Sequence, residues 1–363
     1  MPKDNDNITF PNLLDDGPLT SGPKPFAPDQ MIRCEECLRA NGPTRVNCLY
    51  CGAALPTTET SVNLQKPALR PLEKWEQGYN NILLPRSAKS VTETGAPPDS
   101  IKPDPGEEQL AEAADLLKIS VEGLVRILST GLAMPLARAA SLDEAILVER
   151  RLSRLGIDNL VLPDAELGNV ESGPVRIRSI DVGTDSLHLY QMPETPSIEV
   201  PWLDLELVVI GRLIVKRVEV REQKAGRDEN RILDANEFFT DEAVLEFYAK
   251  GTPAPYRITA NGFDFSCLGE AKGLVAGENL VTLLNLFRTR APQIQVDDSY
   301  KSARKALDVV WPPQQANEAV GWRRDRPGKY TIGSATEMSN EMQFHRYSRL
   351  RSYLLANPQG QQS

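Results

Sequence analysis

The sequence predicts a multidomain α+β protein, and three patterns along its 363 residues support that prediction. Four of the five cysteines fall within one short stretch near the amino end. Apolar residues recur with a helical period in one region and with a strand period in another, and many of the 28 prolines lie outside both. The expected order is a cysteine-rich unit, a flexible linker, a small α/β unit, a strand-rich domain capped by a helix, and a helical tail.

The overall composition predicts a cytoplasmic protein without a membrane-spanning helix. The chain is 40% apolar and 25% charged, and it contains no run of eighteen apolar residues. Residues 1–30 carry acids, prolines and glycines rather than a signal-peptide pattern, and we expect them to be disordered. A net charge of −9 argues against a surface built entirely to bind nucleic acid.

The cysteine-rich unit spans residues 31–56 and is expected to bind a metal. Its two C-x2-C pairs supply the candidate ligands Cys34, Cys37, Cys48 and Cys51. In a chain without export signals this clustering favours thiolate–metal ligation, with a disulfide or redox use as the alternative. Gly52 suits the turn after the second pair. The unit resembles the zinc ribbon and zinc knuckle families, and four thiolates leave no open coordination position, so the expected cofactor is a structural Zn²⁺.

Residues 57–106 are expected to form a proline-rich linker. Prolines lie among Ser, Thr and Lys without sustained periodicity. One apolar island, Trp75–Leu84, interrupts the linker and is expected to dock either on a folded domain or on a partner.

Residues 107–168 have the pattern of a small α/β unit. Helices are predicted at Glu107–Leu117, at Val121–Leu128 after the cap Ser120, and at Leu142–Leu155, followed by a strand at Ile157–Leu162. Ser141 and Glu144 form the sequence pattern of a capping box, and Gly156 ends that helix. This order is similar to the α/β fold shared by the C-terminal domain of the ribosomal stalk protein and the adaptor of the Clp protease. The resemblance implies a protein-binding unit, but the acidic ligand set that recognises a peptide amino terminus is absent.

Residues 174–292 switch to the alternation that is typical of strands. Strands are predicted at 175–178, 187–190, 198–200, 202–210 and 213–220, a polar loop at 223–230, a helix at Phe238–Lys250, a hairpin of 256–259 with 263–268, and a closing helix at Glu278–Arg290. The helix at 238–250 rests on the start Thr240-Asp241-Glu242, and the hairpin rests on Asn261-Gly262. His188 is expected on a strand face, and Cys267 is expected to be a buried packing residue.

This run of short strands followed by one amphipathic helix resembles bacterial pleckstrin-homology-like domains, in which a helix plugs a small barrel. The resemblance implies a binding scaffold. Lipid-binding members of that family use a basic loop, whereas here Lys216 and Arg217 are balanced by Glu219 and Glu222.

Residues 293–363 are expected to form a helical basic tail. A helix is predicted at Ser299–Val310, where Pro312-Pro313 ends it. Between Gly321 and Arg351 seven Lys or Arg stand against three acids, a local charge of +4. Residues 344–355 have helical apolar spacing, which leaves two interpretations: a helix docked on the barrel, or a peptide that binds a partner, RNA or an anionic surface.

The sequence predicts no catalytic residues, so the protein is not expected to be an enzyme. Nucleotide-binding and nucleophile-elbow motifs are absent, and the two histidines, His188 and His345, are far apart in sequence. The expected function is a cytoplasmic adaptor or scaffold that contacts unidentified protein partners. The alternatives are a nucleic-acid-associated zinc-ribbon protein and a membrane-surface module of the pleckstrin-homology-like type.

Overall fold

The computed structural model describes residues 26–43, 45, 47–53, 55–56, 67–73, 76–85, 105–167, 173–192, 194–225, 229–326 and 329–358. The chain forms two compact units, residues 1–66 and 67–363. Most of the segment predicted to be disordered, the linker stretches 57–66 and 86–104, and Trp75 lie outside the described residues.

The first unit is a minimal hairpin with a very small core. Strands β1 (Ile32–Arg33) and β2 (Ala40–Asn41) pair antiparallel, after a single 3-10 turn at Pro28–Gln30. Its buried apolar side chains are Ile32, Cys34, Cys48 and Leu55. A core of this size does not stabilise a fold alone, so the unit needs a cross-link or a metal.

The second unit is mixed α+β, as the sequence predicted. Its helices are α1 (Glu107–Leu117), α2 (Val121–Leu128), α3 (Leu142–Arg154), α4 (Ala276–Arg290), α5 (Tyr300–Leu307) and α6 (Glu341–Ala356). Its strands are β3 (Tyr79–Leu83), β4 (Pro135–Ala139), β5 (Asn159–Pro163), β6 (Val175–Arg176), β7 (Ser179–Val182), β8 (Ser186–Tyr190), β9 (Ile198–Pro201), β10 (Leu205–Ala225), β11 (Glu229–Ala249), β12 (Tyr256–Thr259), β13 (Gln295–Asp297), β14 (Gln314–Arg326) and β15 (Lys329–Ser339).

Three sheets organise these strands. The largest has the order β14-β15-β10-β11-β12-β6, and β13 adds to it by pairing with β10. A three-stranded sheet has the order β7-β8-β9. The other has the order β4-β3-β5, which places β3, the apolar island of the predicted linker, in the middle of a folded sheet.

Helices α1 and α2 have the predicted bounds, and α3 ends one residue earlier than predicted. The Ser141 hydroxyl accepts from the Glu144 amide, as the capping box requires. The Glu144 carboxylate does not complete that box. It accepts instead from the amides of Ala68 and Leu69, at 2.7 and 2.8 Å, and so fixes the start of the second unit.

Two apolar cores lie on opposite sides of the central strands. The first core joins α1–α3 and the β3 sheet to α5 and α6, with Trp311, Tyr300, Tyr347 and Phe344 among its largest buried side chains. The second core packs α4 against β11, β12 and the β7-β8-β9 sheet. Helix α6 therefore packs within the fold, and the predicted helical tail is only partly helical, because β13, β14 and β15 also lie in residues 293–363.

The predicted helix at Phe238–Lys250 is wrong, because these residues belong to strand β11 and the turn that follows it. The strand lies between the two cores: Val244 and Tyr248 face the first, while Leu245 and Phe247 face the second. Since both faces are apolar, the two-residue period disappears from the sequence, and Thr240-Asp241-Glu242 imitates a helix start.

Three further expectations for this region need correction. The segment 263–268 is not a strand, because a 3-10 segment covers Phe265–Ala271, although Asn261-Gly262 does form a turn, with φ 78° at Gly262. The polar loop predicted at 223–230 is shorter, since β10 runs to Ala225 and β11 begins at Glu229. Cys267 packs against the second core but is only half-buried.

In the described part of the chain, no helix has both the length and the apolar character needed to cross a bilayer.

Candidate metal centre

The four predicted ligands come together in the first unit. The Sγ atoms of Cys34, Cys37, Cys48 and Cys51 all lie within 4.8 Å of one another. The Cys34–Cys51 and Cys37–Cys48 sulfur pairs are 3.6 and 3.5 Å apart. A tetrahedral zinc ion with Zn–S bonds of about 2.3 Å requires sulfurs about 3.8 Å apart, whereas a disulfide requires about 2.05 Å. All four cysteines are free, and their arrangement fits a metal ion.

Each C-x2-C pair lies in the same kind of turn. The Leu38 amide donates to the Cys34 carbonyl at 2.9 Å, and the Gly52 amide donates to the Cys48 carbonyl at 3.0 Å. Both donors have left-handed backbone conformations, with φ of 58° at Leu38 and 77° at Gly52. The sequence indicated this turn at Gly52 but not at Leu38, where a side chain makes the same conformation costly by about 1 kcal/mol.

Hydrogen bonds from the protein stabilise negative charge on Cys48. Its Sγ accepts from Asn41 Nδ2 and from the Tyr50 amide, both at 3.4 Å. Burial raises the pKa of the Cys48 thiol, but these bonds and one from the Cys51 amide outweigh burial and lower the pKa to about 6. Asn41 also accepts from the Leu49 amide at 2.9 Å, so it ties the hairpin to the second turn. The sequence alone gave no sign of this role for Asn41.

The cluster favours a bound cation over four free thiols. At Cys51, a hydrogen bond from the Ala53 amide lowers the thiol pKa, but desolvation and the three neighbouring thiols raise it to about 12. Ionisation of one sulfur thus makes it harder to ionise its neighbours, because the negative charges repel. A divalent cation at their centre would offset that repulsion. Because all four positions are protein ligands, the ion would be structural and would not activate water.

Apolar side chains surround the metal centre at the tips of both turns. Leu38, Leu49 and Tyr50 are 67, 60 and 53% exposed. The Arg39 guanidinium lies 4.7 Å from the centre of the Tyr50 ring, which holds that ring by a cation–π contact. Glu35 and Glu36 are exposed in the first turn beside Arg39, so this surface does not carry the excess of cations that a phosphate-binding site needs.

A second group of polar side chains, which the sequence analysis did not foresee, is buried between β11, β12 and α6. Glu246 is fully buried and accepts from the Nε and Nη2 atoms of Arg257 at 2.9 and 2.6 Å. His345 Nδ1 lies 3.2 Å from the same carboxylate, and Arg257 also pairs with Glu341. Burial raises the pKa of Glu246, but His345 and Arg257 outweigh it and hold that pKa below its usual value.

This buried group links β11, β12 and α6. The one hydroxyl nearby on α6, Ser348, is within 2.8 Å of the Tyr248 hydroxyl, and both side chains are buried. His188, the other histidine, lies in β8, and no described contact joins it to Glu246, Arg257 or His345.

No known family model, curated protein or solved structure matches this chain.

Proposed function

We propose that this protein is a non-enzymatic cytoplasmic adaptor whose N-terminal zinc ribbon is held together by one structural Zn²⁺ ion. The observation that carries the proposal is the closed set of four sulfurs, all within 4.8 Å of one another. Among the described residues of the first unit only four form a buried core, so metal binding supplies the free energy that orders it.

The adaptor role is supported by the apolar side chains that the ribbon presents to solvent. Leu38 and Leu49 lie at the tips of two turns that the metal fixes, so their separation is preset before any partner arrives. Residues 107–168, which resemble a protein-binding α/β fold, and the pleckstrin-homology-like region would supply further contacts. Several modest surfaces in one chain raise the effective affinity for a multipart assembly.

Metal content tests the zinc proposal directly. We expect one zinc per chain in protein purified without added metal, and Cys34→Ser should lower zinc occupancy and unfold only the first unit. Cys267→Ser is the matched control, since Cys267 packs on the second core and is not a ligand. A disulfide-based site would instead give zinc-free protein whose intact mass falls by about two hydrogens per pair.

Cross-linking in cells tests the adaptor proposal separately. We expect Leu38→Asp combined with Leu49→Asp to abolish cross-links from the ribbon while leaving zinc content unchanged. Leu274→Asp is the control, because Leu274 is fully exposed elsewhere in the chain. Recovery of the same cross-linked proteins from both variants would contradict the assignment of the turn tips as the contact surface.

A further inference from the structure

The outer parts of β10, β11, β14 and β15 form a four-stranded antiparallel sheet, which we call the arm (residues 214–225, 229–240, 314–326 and 329–339). Lys216 lies between Phe239 and Met338, and Met338 lies opposite Gln315. The register shifts between Arg221 and Glu222 and between Ala319 and Gly321, and the pairings resume beyond each shift. Strand β12 pairs with β11 only at Val244–Phe247, so no described strand pairs with the other edge of β11 in the arm.

The two faces of the arm differ in chemistry. Successive residues point to opposite faces, so the register assigns each side chain to one of them. We call the first the apolar face, because most of its side chains on β10 and β11 are apolar; its apolar members are Val218, Val220, Ile232, Ala235, Phe239, Ala319, Ile332 and Met338. On β14 and β15 the same face also carries the neutral polar residues Gln315, Asn317, Ser334 and Thr336. The other, the charged face, carries a network in which Arg217 pairs with Glu219, Glu318 and Glu337.

The apolar face is open to solvent. Phe239 and Ile232 are 63 and 62% exposed, and Met338 is 42% exposed. A sheet with one apolar and one polar face is stable when the apolar face packs on another layer. Neither of the two apolar cores includes these side chains.

We propose that two copies of the chain dimerise by packing the apolar faces of their arms against each other. Four strands spaced about 4.8 Å apart and about seven residues long give a face of roughly 450 Å² in projection. Corrugated side chains raise the accessible area above this projection, so two such faces bury on the order of 1,000 Å² in total, the lower range for a specific interface. The inference is independent of the zinc and adaptor proposals, since it concerns a different surface.

Charge favours a second copy over a membrane surface as the occupant. The described charged residues on the apolar face are Lys216, Glu237 and Glu222, a net charge of −1. Membrane-surface elements carry an excess of Lys and Arg, and the described charged residues of this face show no such excess. Lys216 and Glu237 pair with each other at 2.9 Å, so each copy presents both signs, and a twofold contact can place Lys216 of one copy beside the carboxylates of the other.

Neighbouring phenylalanines provide a matched pair of variants for the test. Phe239 lies on the apolar face and Phe238 on the charged face, with 63 and 53% exposure. The full chain would be examined by sedimentation velocity from about 1 to about 100 µM, a range that reports micromolar association. We expect a species of twice the 40.1 kDa chain mass. Phe239→Lys should raise the dimer Kd at least about tenfold, and Phe238→Lys should change it less than about twofold.

Met338→Lys is the second variant, on another strand of the same face, and circular dichroism checks the fold of each protein. A monomer at all concentrations overturns the proposal, and so does equal weakening by Phe238→Lys and Phe239→Lys. Flotation with vesicles of phosphatidylcholine and phosphatidylglycerol tests whether the apolar face binds a membrane surface instead. Vesicle binding by a monomer that Phe239→Lys abolishes would assign the face to a membrane and overturn dimerisation.

Discussion

Replacing Glu246 by Gln tests whether the buried polar group stabilises the second unit. The amide keeps the shape of the side chain but removes the charge that faces Arg257 and His345. Arg257 is only 5% exposed, so its guanidinium loses its buried counter-charge without gaining water. Its other partner, Glu341, is 55% exposed and stays in place.

The expected loss follows from this geometry. Breaking a buried ion pair from one side costs about 3–5 kcal/mol, and the remaining Glu341 contact places this case near the lower limit, at about 3 kcal/mol. For a unit of this size each kcal/mol shifts Tm by about 2–4 °C, so we expect Tm to fall by about 6–12 °C. Glu206→Gln, at an exposed position in β10, should change stability by less than about 0.5 kcal/mol.

The same variant should alter the dependence of stability on pH. The pKa of Glu246 is lowered in the folded state, so its stabilisation is present above the unfolded-state pKa of about 4.3 and is lost as pH falls through the folded-state value. The difference in unfolding free energy between the two proteins should therefore shrink in acid. Urea titrations at pH 7 and at pH values below 4 measure it. A Glu246→Gln protein within 1 kcal/mol of the parent at pH 7 would refute the reasoning.

Two core substitutions give further predictions for the second unit. Gly211→Ala should destabilise the second unit by about 1–3 kcal/mol, because a Cβ at this position would lie 2.3 Å from the buried ring of Phe344. Urea titrations measure the loss. An unchanged midpoint would show that α6 can shift on β10 to make room. Trp311→Phe should lower the unfolding free energy by about 1–3 kcal/mol, because it removes the indole N–H that donates to Asn80 Oδ1 at 3.0 Å and leaves a buried acceptor unpaired. Thermal melting measures this loss, and a gain in Tm would contradict the prediction.

The elements that the sequence predicted correctly are those whose signals lie within a few neighbouring residues. Ser120 caps α2 by accepting from the Gly123 amide, and Ser141 caps α3 in the same way. Such caps act over three residues, so they can be read without knowing the fold. The cysteine spacing is similarly local, and all four predicted ligands lie together.

The features that the sequence did not reveal depend on distant residues. Glu246, Arg257 and His345 come from three elements that only the fold brings together. Strand β3 was assigned to a linker because its two partners, β4 and β5, follow it by more than fifty residues. Asn41 acts on Cys48 through a side-chain contact that no spacing rule predicts.

The position of α6 also changes the meaning of the basic tail. Three of its seven cations are held within the fold: Arg349 donates to the Pro253 carbonyl at 2.8 Å, Arg351 pairs with Asp297, and burial lowers the pKa of Arg346. Tyr347, which lies between Arg346 and Arg349 in the chain, packs in the first core, and its hydroxyl donates to Asp297 at 3.0 Å. These contacts hold the helix in place where the arginines lie. A local charge of +4 counted along the chain is therefore not a free patch of +4 on the surface. An anion would have to compete with Asp297 for Arg351. The main role of the cations of α6 is therefore to hold the helix in place, and anion binding is secondary.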